Sequence, residues 1–245
     1  MEKHENAENA LQMLLAQITL DCSSVEENLR KIIACIAGHL ETGLFLFPEL
    51  ALSGYRFAHL RGLTAAEIDE ALDRIRQALA PGQCAVVGAP RIEENRYYNS
   101  AFVLFPDKET LTYDKITLTE ADAKFFEAGA EPLIFSHRGH RFGVLICRDQ
   151  NNVELIGNYR GKVDAMLHLA AHYYLPETAI RKDDKNVAFP IVRAIDSDTL
   201  WCKVNTVGHC GESLSLGSSL IALPDGTVHR QAGRFDEERL LFALD

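Results

Sequence analysis

The chain has 245 residues, 47% hydrophobic and 24% charged, with 35 acidic against 25 basic side chains and a formal net charge of −10. Such a length and apolar fraction suit a globular protein with a sizeable core, in one large domain or two small ones. The acidic balance argues against a surface built to hold nucleic acid, no apolar run approaches a membrane span, and the polar start MEKHENAEN is no signal peptide, which points to the cytoplasm.

Leu11 to Leu20 is a mainly apolar run and reads as the first strand. Ser24 and Glu27 form a capping-box pair, and Leu29, Ile32, Ile33, Ile36 and Leu40 follow at helical spacing up to Gly43. Leu44 to Phe47 is the second strand. Thr64 and Glu67 open another helix, with Ile68, Leu72, Ile75 and Leu79 as its stripe, before a strand at Cys84 to Ala89. Asn99 to Phe105 and Thr110 to Tyr113 flank a Pro106-Asp107 turn and read as a hairpin. Strands are expected at 133–135 and 141–146, a short helix from Asn152, a strand at Val163 to Ala170, and a helix at Asp184 to Asp198 despite Pro190. Leu200 to Asn205, a hairpin over 218–230 around Pro224-Asp225-Gly226, and Leu240 to Leu244 complete the pattern.

No repeat, low-complexity tract or Pro/Gly-rich linker interrupts this order, so one domain over residues 1–245 is expected, with 1–9 flexible. Strands alternating with helices, plus hairpins, imply an α/β layered fold with mixed sheets. The six cysteines form no CxxC pair, so neither a zinc site nor a disulfide framework is expected. His209 and Cys210 offer too few ligands for a metal.

Reactive side chains stand where strands end: Glu49 after LFLFP, Lys115 in TYDKITL, and Cys147 in RFGVLICRDQ. Each has an ordinary reading alone, as a turn carboxylate, a solvated lysine and a buried structural thiol. Together they make a sensible set. A thiolate is a nucleophile, a carboxylate can take its proton, and a fixed ammonium can stabilise an oxyanion.

The flanking segments carry a resemblance. PELALSGY is similar to the PExxLTGY element of the nitrilase superfamily, the carbon–nitrogen hydrolases; YDKITL resembles YxKxHL, with Thr117 where histidine usually stands; GVLICRDQNNVEL resembles GxxICYDxxFPEL. YYNSAFVLFPD, FPIVRAIDSDTLWCKVNTVG and GSSLIALPDGTV match further elements in the family's order. The resemblance implies a four-layer α-β-β-α sandwich, homodimers or higher homo-oligomers, and no cofactor. It makes Glu49 the general base, Lys115 the stabiliser of the tetrahedral intermediate together with the Arg148 backbone N–H, and Cys147 the nucleophile of a thioester acyl-enzyme. A second acid before the FxxG turn falls on Glu120 or Asp122. His172 and Tyr173, in a segment that lies beside the active site in the family, either shape the pocket or are loop aromatics. Glu154 and Arg193 match structural positions, Glu154 as an ion-pair partner.

Departures bear on the substrate. Gln150 and Asn151 stand where N-carbamoyl amino acid hydrolases place two arginines, and the CWE of nitrile-specific members is absent. The length is too short for the membrane helices of apolipoprotein acyltransferases or the second domain of glutamine-dependent NAD synthetases. The expectation is a small-molecule amidase releasing ammonia or an amine. The alternative is a low-turnover relative serving as a binding or interaction module.

Overall fold

The computed structural model describes residues 10–245; the expected flexibility of residues 1–9 lies outside them. β1 (Leu11–Gln17), α1 (Val25–Ala37), β2 (Leu44–Leu46), α2 (Phe57–Leu60), α3 (Ala65–Ala78), β3 (Cys84–Glu93), β4 (Arg96–Leu104) and β5 (Leu111–Asp114) come first. They are followed by β6 (Ile134–His137), β7 (His140–Ile146), α4 (Val153–Gly157), β8 (Ala165–Ala170), α5 (Pro176–Ser197), β9 (Leu200–Asn205), β10 (Val207–Cys210), β11 (Ser213–Leu216), β12 (Leu220–Ala222), β13 (Val228–Gln231) and β14 (Glu238–Leu244).

Two six-stranded sheets result, ordered β14-β1-β2-β3-β4-β5 and β13-β12-β9-β8-β7-β6. Each has three parallel strands at its centre and antiparallel strands at its edges. The period-two alternation of a strand sorts the core into layers. Leu11, Met13 and Leu15 of β1 face Phe142, Val144 and Ile146 of β7 and Ala165, Leu167 and Leu169 of β8 between the sheets. Leu14 and Ala16 instead meet Leu29, Ile32, Ile68 and Ile75 of α1 and α3. On the far side Leu145, Met166 and Trp201 pack against Leu155, Ile156 and Ala194 of α4 and α5. This is the four-layer α-β-β-α sandwich, with both faces of both sheets covered, which is why the central strands read as continuous apolar runs.

Local signals hold where side chains bond their own backbone. Thr64 and Glu67 form the reciprocal capping box. At α1 only half of it forms: Ser24 accepts from the Glu27 N–H, while Glu27 turns to Arg30. Gly38, not Gly43, caps α1. Gly43 lies under Leu11 and Arg138, where a Cβ would clash at 2.4 and 2.9 Å. α5 starts eight residues before the expected Asp184, with Pro176 at its first turn, a position that needs no N–H. Pro190 is buried inside it and leaves the Asn186 carbonyl without its intrahelical donor; the Lys203 ammonium supplies one at 3.1 Å.

Two expectations are corrected. Cys22 and Cys210 are joined by a disulfide across 188 residues of sequence, their Cα atoms 5.8 Å apart. No spacing pattern marks a bond made by the meeting of the β1–α1 loop with β10. Glu154 is exposed and makes no ion pair among the described residues. Arg193 is structural as expected: its Nε donates to the Gln150 carbonyl at 2.7 Å and its guanidinium pairs with Asp196. Among the described residues no helix is long and apolar enough to cross a membrane.

Candidate active site

The site forms where the ends of β2 and β5 in one sheet meet the ends of β7 and β8 in the other. Glu49 sits in the turn after β2, completely buried. Its Oε1 accepts from Lys115 Nζ at 2.7 Å and Asn99 Nδ2 at 2.8 Å, and its Oε2 from the Ala171 N–H at 2.9 Å. The last bond crosses from one sheet to the other. The turn requires Gly88 beneath it, where a Cβ would lie 2.3 Å from the Pro48 carbonyl oxygen and 2.8 Å from Glu49 Cα.

Lys115, just past β5, is also fully buried, between Glu49 and Asp122, the latter at 2.9 Å. Asp122 accepts further bonds from the Thr119 N–H and the Tyr55 hydroxyl. Glu120 is exposed and takes no part in this cluster. The choice left open by the sequence thus falls to Asp122, because the turn through 122–124 points its side chain inward.

Cys147 follows β7 directly and opens a 3-10 turn over 147–151. Its φ of +47° lies in the left-handed region, a conformation that costs a non-glycine residue about 1–2 kcal/mol. Asp149 closes the turn, accepting from the Ile146 N–H at 3.0 Å, the Tyr113 hydroxyl at 2.7 Å and the Thr117 N–H at 2.6 Å. His168 Nδ1 accepts from Trp201 Nε1 at 3.3 Å, so its proton resides on Nε2, which donates to the Cys147 carbonyl at 3.1 Å. Burial and the nearby Lys203 charge hold its pKa down to about 3, so the ring stays neutral.

Burial sets the electrostatics. It raises the Glu49 carboxyl above its usual range, against the opposing pull of Lys115. It pushes up the Cys147 thiol, and the Glu49 charge pushes further, so the resting thiol is protonated. For Lys115 burial opposes the charge, but the surrounding negative groups, Glu49 foremost, hold its pKa well above the ordinary lysine value. Asp122 is also opposed by burial, yet the Lys115 charge and the Tyr55 bond keep it below the usual carboxylate range. The result is a fixed ammonium and a protonated thiol, with a nearby carboxylate of raised basicity.

A small cleft of about 80 Å³ opens beside Cys147, lined in part by Arg148, Gln150, His172, Tyr174 and Lys185. Arg148 is exposed at its rim, and its backbone N–H lies in the first turn of the 3-10 segment, where amides lack intrahelical partners. His172 is buried with its ring stacked on Tyr174, and burial keeps it neutral. Tyr173 does not line the cleft; its ring packs edge-on against Tyr55, 6.5 Å away. Sequence reading missed Asn99, Tyr55, Asp149 and His168 as members of the site. Their types were visible in the NSA, SGY and CRD stretches, but nothing in spacing assigns them partners.

The model of the carbon-nitrogen hydrolase family matches residues 12–245. A glutamine-dependent NAD(+) synthetase of Xanthomonas campestris is 29% identical over 95% of this chain and 44% of its own length, so the chain spans less than half of that relative. An (R)-stereoselective amidase of a Pseudomonas species is 30% identical over 87% of this chain and 76% of its own. The crystal structure of an amidase from a Nesterenkonia species superposes with a TM-score of 0.83 at 23% identity, covering 96% of this chain and 90% of that one. With the family model spanning nearly every described residue and the sandwich shared with that amidase, the chain belongs to the carbon-nitrogen hydrolase family.

Proposed function

We propose that the protein is a thiol amidase that hydrolyses a small non-peptide amide, with Cys147 as nucleophile, Glu49 as general base and Lys115 as electrostatic stabiliser. The observation that carries this reading is the buried cluster in which Glu49 bonds Lys115 and lies near enough to the Cys147 thiol for its charge to raise that thiol's pKa. Glu49 takes the thiol proton as sulfur attacks the carbonyl carbon. The developing oxyanion is met by the Lys115 ammonium and the Arg148 N–H, donors already fixed before the charge appears. Glu49 then returns the proton to the departing nitrogen, and ammonia or an amine leaves a thioester on Cys147. Water, deprotonated by the same carboxylate, attacks the thioester and releases the acid. Asp122 keeps the Lys115 ammonium in place while Glu49 cycles between its two protonation states.

Cys147→Ala abolishes ammonia release from an amide panel without altering the circular dichroism, and intact-mass spectrometry of wild type with a slow substrate shows an acyl adduct that the variant lacks. Normal turnover by the variant would sink the assignment. The match to one part of NAD synthetases that use glutamine supports a second, narrower reading within this chemistry: glutamine as amide donor, its nitrogen passed to another protein. Glutamine tested in the same panel decides it. A homodimer completes the proposal, supported by the exposed Val153, Ile180, Val192 and Ile195 on α4 and α5; light scattering at micromolar concentration tests the dimer.

A further inference from the structure

His168 touches the nucleophile's backbone but does not line the cleft, and it is completely buried in β8. Leu167 and Leu169 on either side of it face the space between the sheets, so the alternation of the strand turns His168 to the opposite face, the one Met166 and Trp201 share. The register of β8 and β9 sets Met166 opposite Trp201. Trp201 therefore lies on the diagonal from His168, its ring edge-on to the imidazole at 5.9 Å. An indole nitrogen only donates. Trp201 Nε1 bonds His168 Nδ1, which fixes the imidazole proton on Nε2 and aims it at the Cys147 carbonyl, 3.1 Å away. Burial and the Lys203 charge keep the ring neutral, so one donor in one tautomer faces the turn.

The carbonyl that accepts this bond belongs to the same peptide unit as the Arg148 N–H. A trans peptide is planar, and its C=O and N–H point to opposite sides. A bond to the oxygen therefore acts on the nitrogen side in two ways. It holds the plane, and with it the direction of the N–H. It also draws charge toward oxygen and strengthens the N–H as a donor, a cooperative gain of roughly 10–30% per bond. The first effect matters here because Cys147 has a φ of +47°. A non-glycine residue keeps such a conformation only where its surroundings over-determine it.

We propose that Trp201 and His168 form a positioning relay for the oxyanion hole, which aims and polarises the Arg148 N–H through the Cys147 carbonyl. The inference rests on the amidase reading above, in which that N–H meets the oxyanion. His168 is a positioning residue in this role, acting through the peptide and not on the substrate. The oxyanion exists only in the transition state and the tetrahedral intermediate, so the relay acts on kcat and leaves KM nearly unchanged. Removing an oxyanion donor outright costs about 10²–10³-fold, and weakening one costs less, so His168→Leu lowers kcat about ten- to a hundredfold. His168→Gln, whose amide N–H can stand where Nε2 stands, recovers most of that loss. Trp201→Phe releases the tautomer and lowers kcat in the same direction by a smaller factor.

Two readouts separate this role from a structural one. Butyraldehyde adds the Cys147 thiol across its carbonyl: the C–S bond forms, the S–H proton passes to oxygen, and the tetrahedral hemithioacetal presents that oxygen to the donors. Its affinity, measured by inhibition, falls in step with kcat across the variants. Butyramide binding to the same variants carrying Cys147→Ala, measured by calorimetry, stays within about twofold, because a ground-state amide bears no oxyanion. Alkylation of Cys147 by iodoacetamide displaces iodide at carbon and forms no oxyanion, so its rate constant stays at the wild-type value. Circular dichroism checks the fold. Should His168→Leu fail to fold, Trp201→Phe decides, by whether aldehyde affinity falls while the alkylation rate holds. Wild-type kcat and aldehyde affinity in the folded variants, or aldehyde affinity, amide affinity and alkylation rate falling together, would overturn the proposal. Failure of the amidase reading is read separately, as no ammonia from any amide with the wild-type enzyme.

Discussion

Lys115, just past β5, and Lys203, inside β9 of the other sheet, are both completely buried, and they answer burial in opposite ways. Lys115 touches two carboxylates, at 2.7 and 2.9 Å, and its charge is held more firmly than in water. Lys203 donates only to carbonyl oxygens, those of Asn186 at 3.1 Å and Ser218 at 3.5 Å. Its nearest carboxylate influence is Asp183, whose side chain is taken by Ser218 and Arg234. Burial therefore pulls the Lys203 pKa down to about 8, with Asp183 only partly offsetting it. Desolvation penalises any buried ammonium, and only direct carboxylate contact reverses the sign. A fixed cation suited to an oxyanion is thus found beside Glu49 and Asp122, not merely wherever a lysine is buried.

The sharpest way to break this comparison is to remove the base that Lys115 holds. Glu49→Gln keeps the shape and removes proton acceptance, so kcat falls about 10²–10⁴-fold with little change in KM. In wild type the acid limb of kcat/KM lies above the ordinary carboxylate range. Glu49 must be ionised to act, its pKa is raised, and activity is lost as pH falls through that value. A limb at the usual carboxylate value would count against Glu49 as the base.

Lys115→Ala comes next. It removes an oxyanion donor, worth about 10²–10³ in kcat, and strands two buried carboxylates, costing about 3–5 kcal/mol of stability. Denaturant melts and steady-state rates measured together should show both losses; a loss of only one would separate the structural from the chemical role. Asp122→Asn keeps the packing but weakens the hold on Lys115, lowering kcat on the order of tenfold, whereas Glu120→Gln changes it by less than about twofold, as for a surface site. Equal effects would undo the assignment of the second acid.

The smallest catalytic effect belongs to Lys203→Met. A lysine with a depressed folded pKa binds fewer protons in the native than in the unfolded state between its two pKa values. Wild-type stability from this group therefore rises with pH from about 8 to the unfolded lysine value of about 10.4. The methionine variant loses that rise. It also leaves the Asn186 carbonyl open, a cost that Pro190→Ala should relieve by restoring the helix N–H, so the two substitutions couple by about 0.5–3 kcal/mol. Thermal melts of the four proteins across pH measure both effects, and additive changes with no pH slope would remove Lys203 from this account.

Much of the fold is legible along the chain. The capping box at Thr64, the strand Leu200–Asn205 and the hairpin through Pro106-Asp107 depend on neighbours a few residues away. The three strand-end residues are legible for a similar reason: apolar runs stop at Glu49 and Cys147, and Lys115 follows the second strand of the first hairpin. Asp122 over Glu120 and the Cys22–Cys210 bond are not legible in this way. Each depends on where distant segments meet.

The sequence by itself determined the alternation of strands and helices, the chemistry available at three strand ends and the family resemblance, because periodicity, capping and side-chain type are properties of short windows. Only the tertiary structure decided which charges share a dry interior. Glu49 is drawn to Lys115 across 66 residues and to the Ala171 amide across 122, and Lys203 fills a carbonyl that Pro190 left open. Burial and contact distance set the sign of a pKa shift, and both are quantities of the folded chain that no local pattern contains.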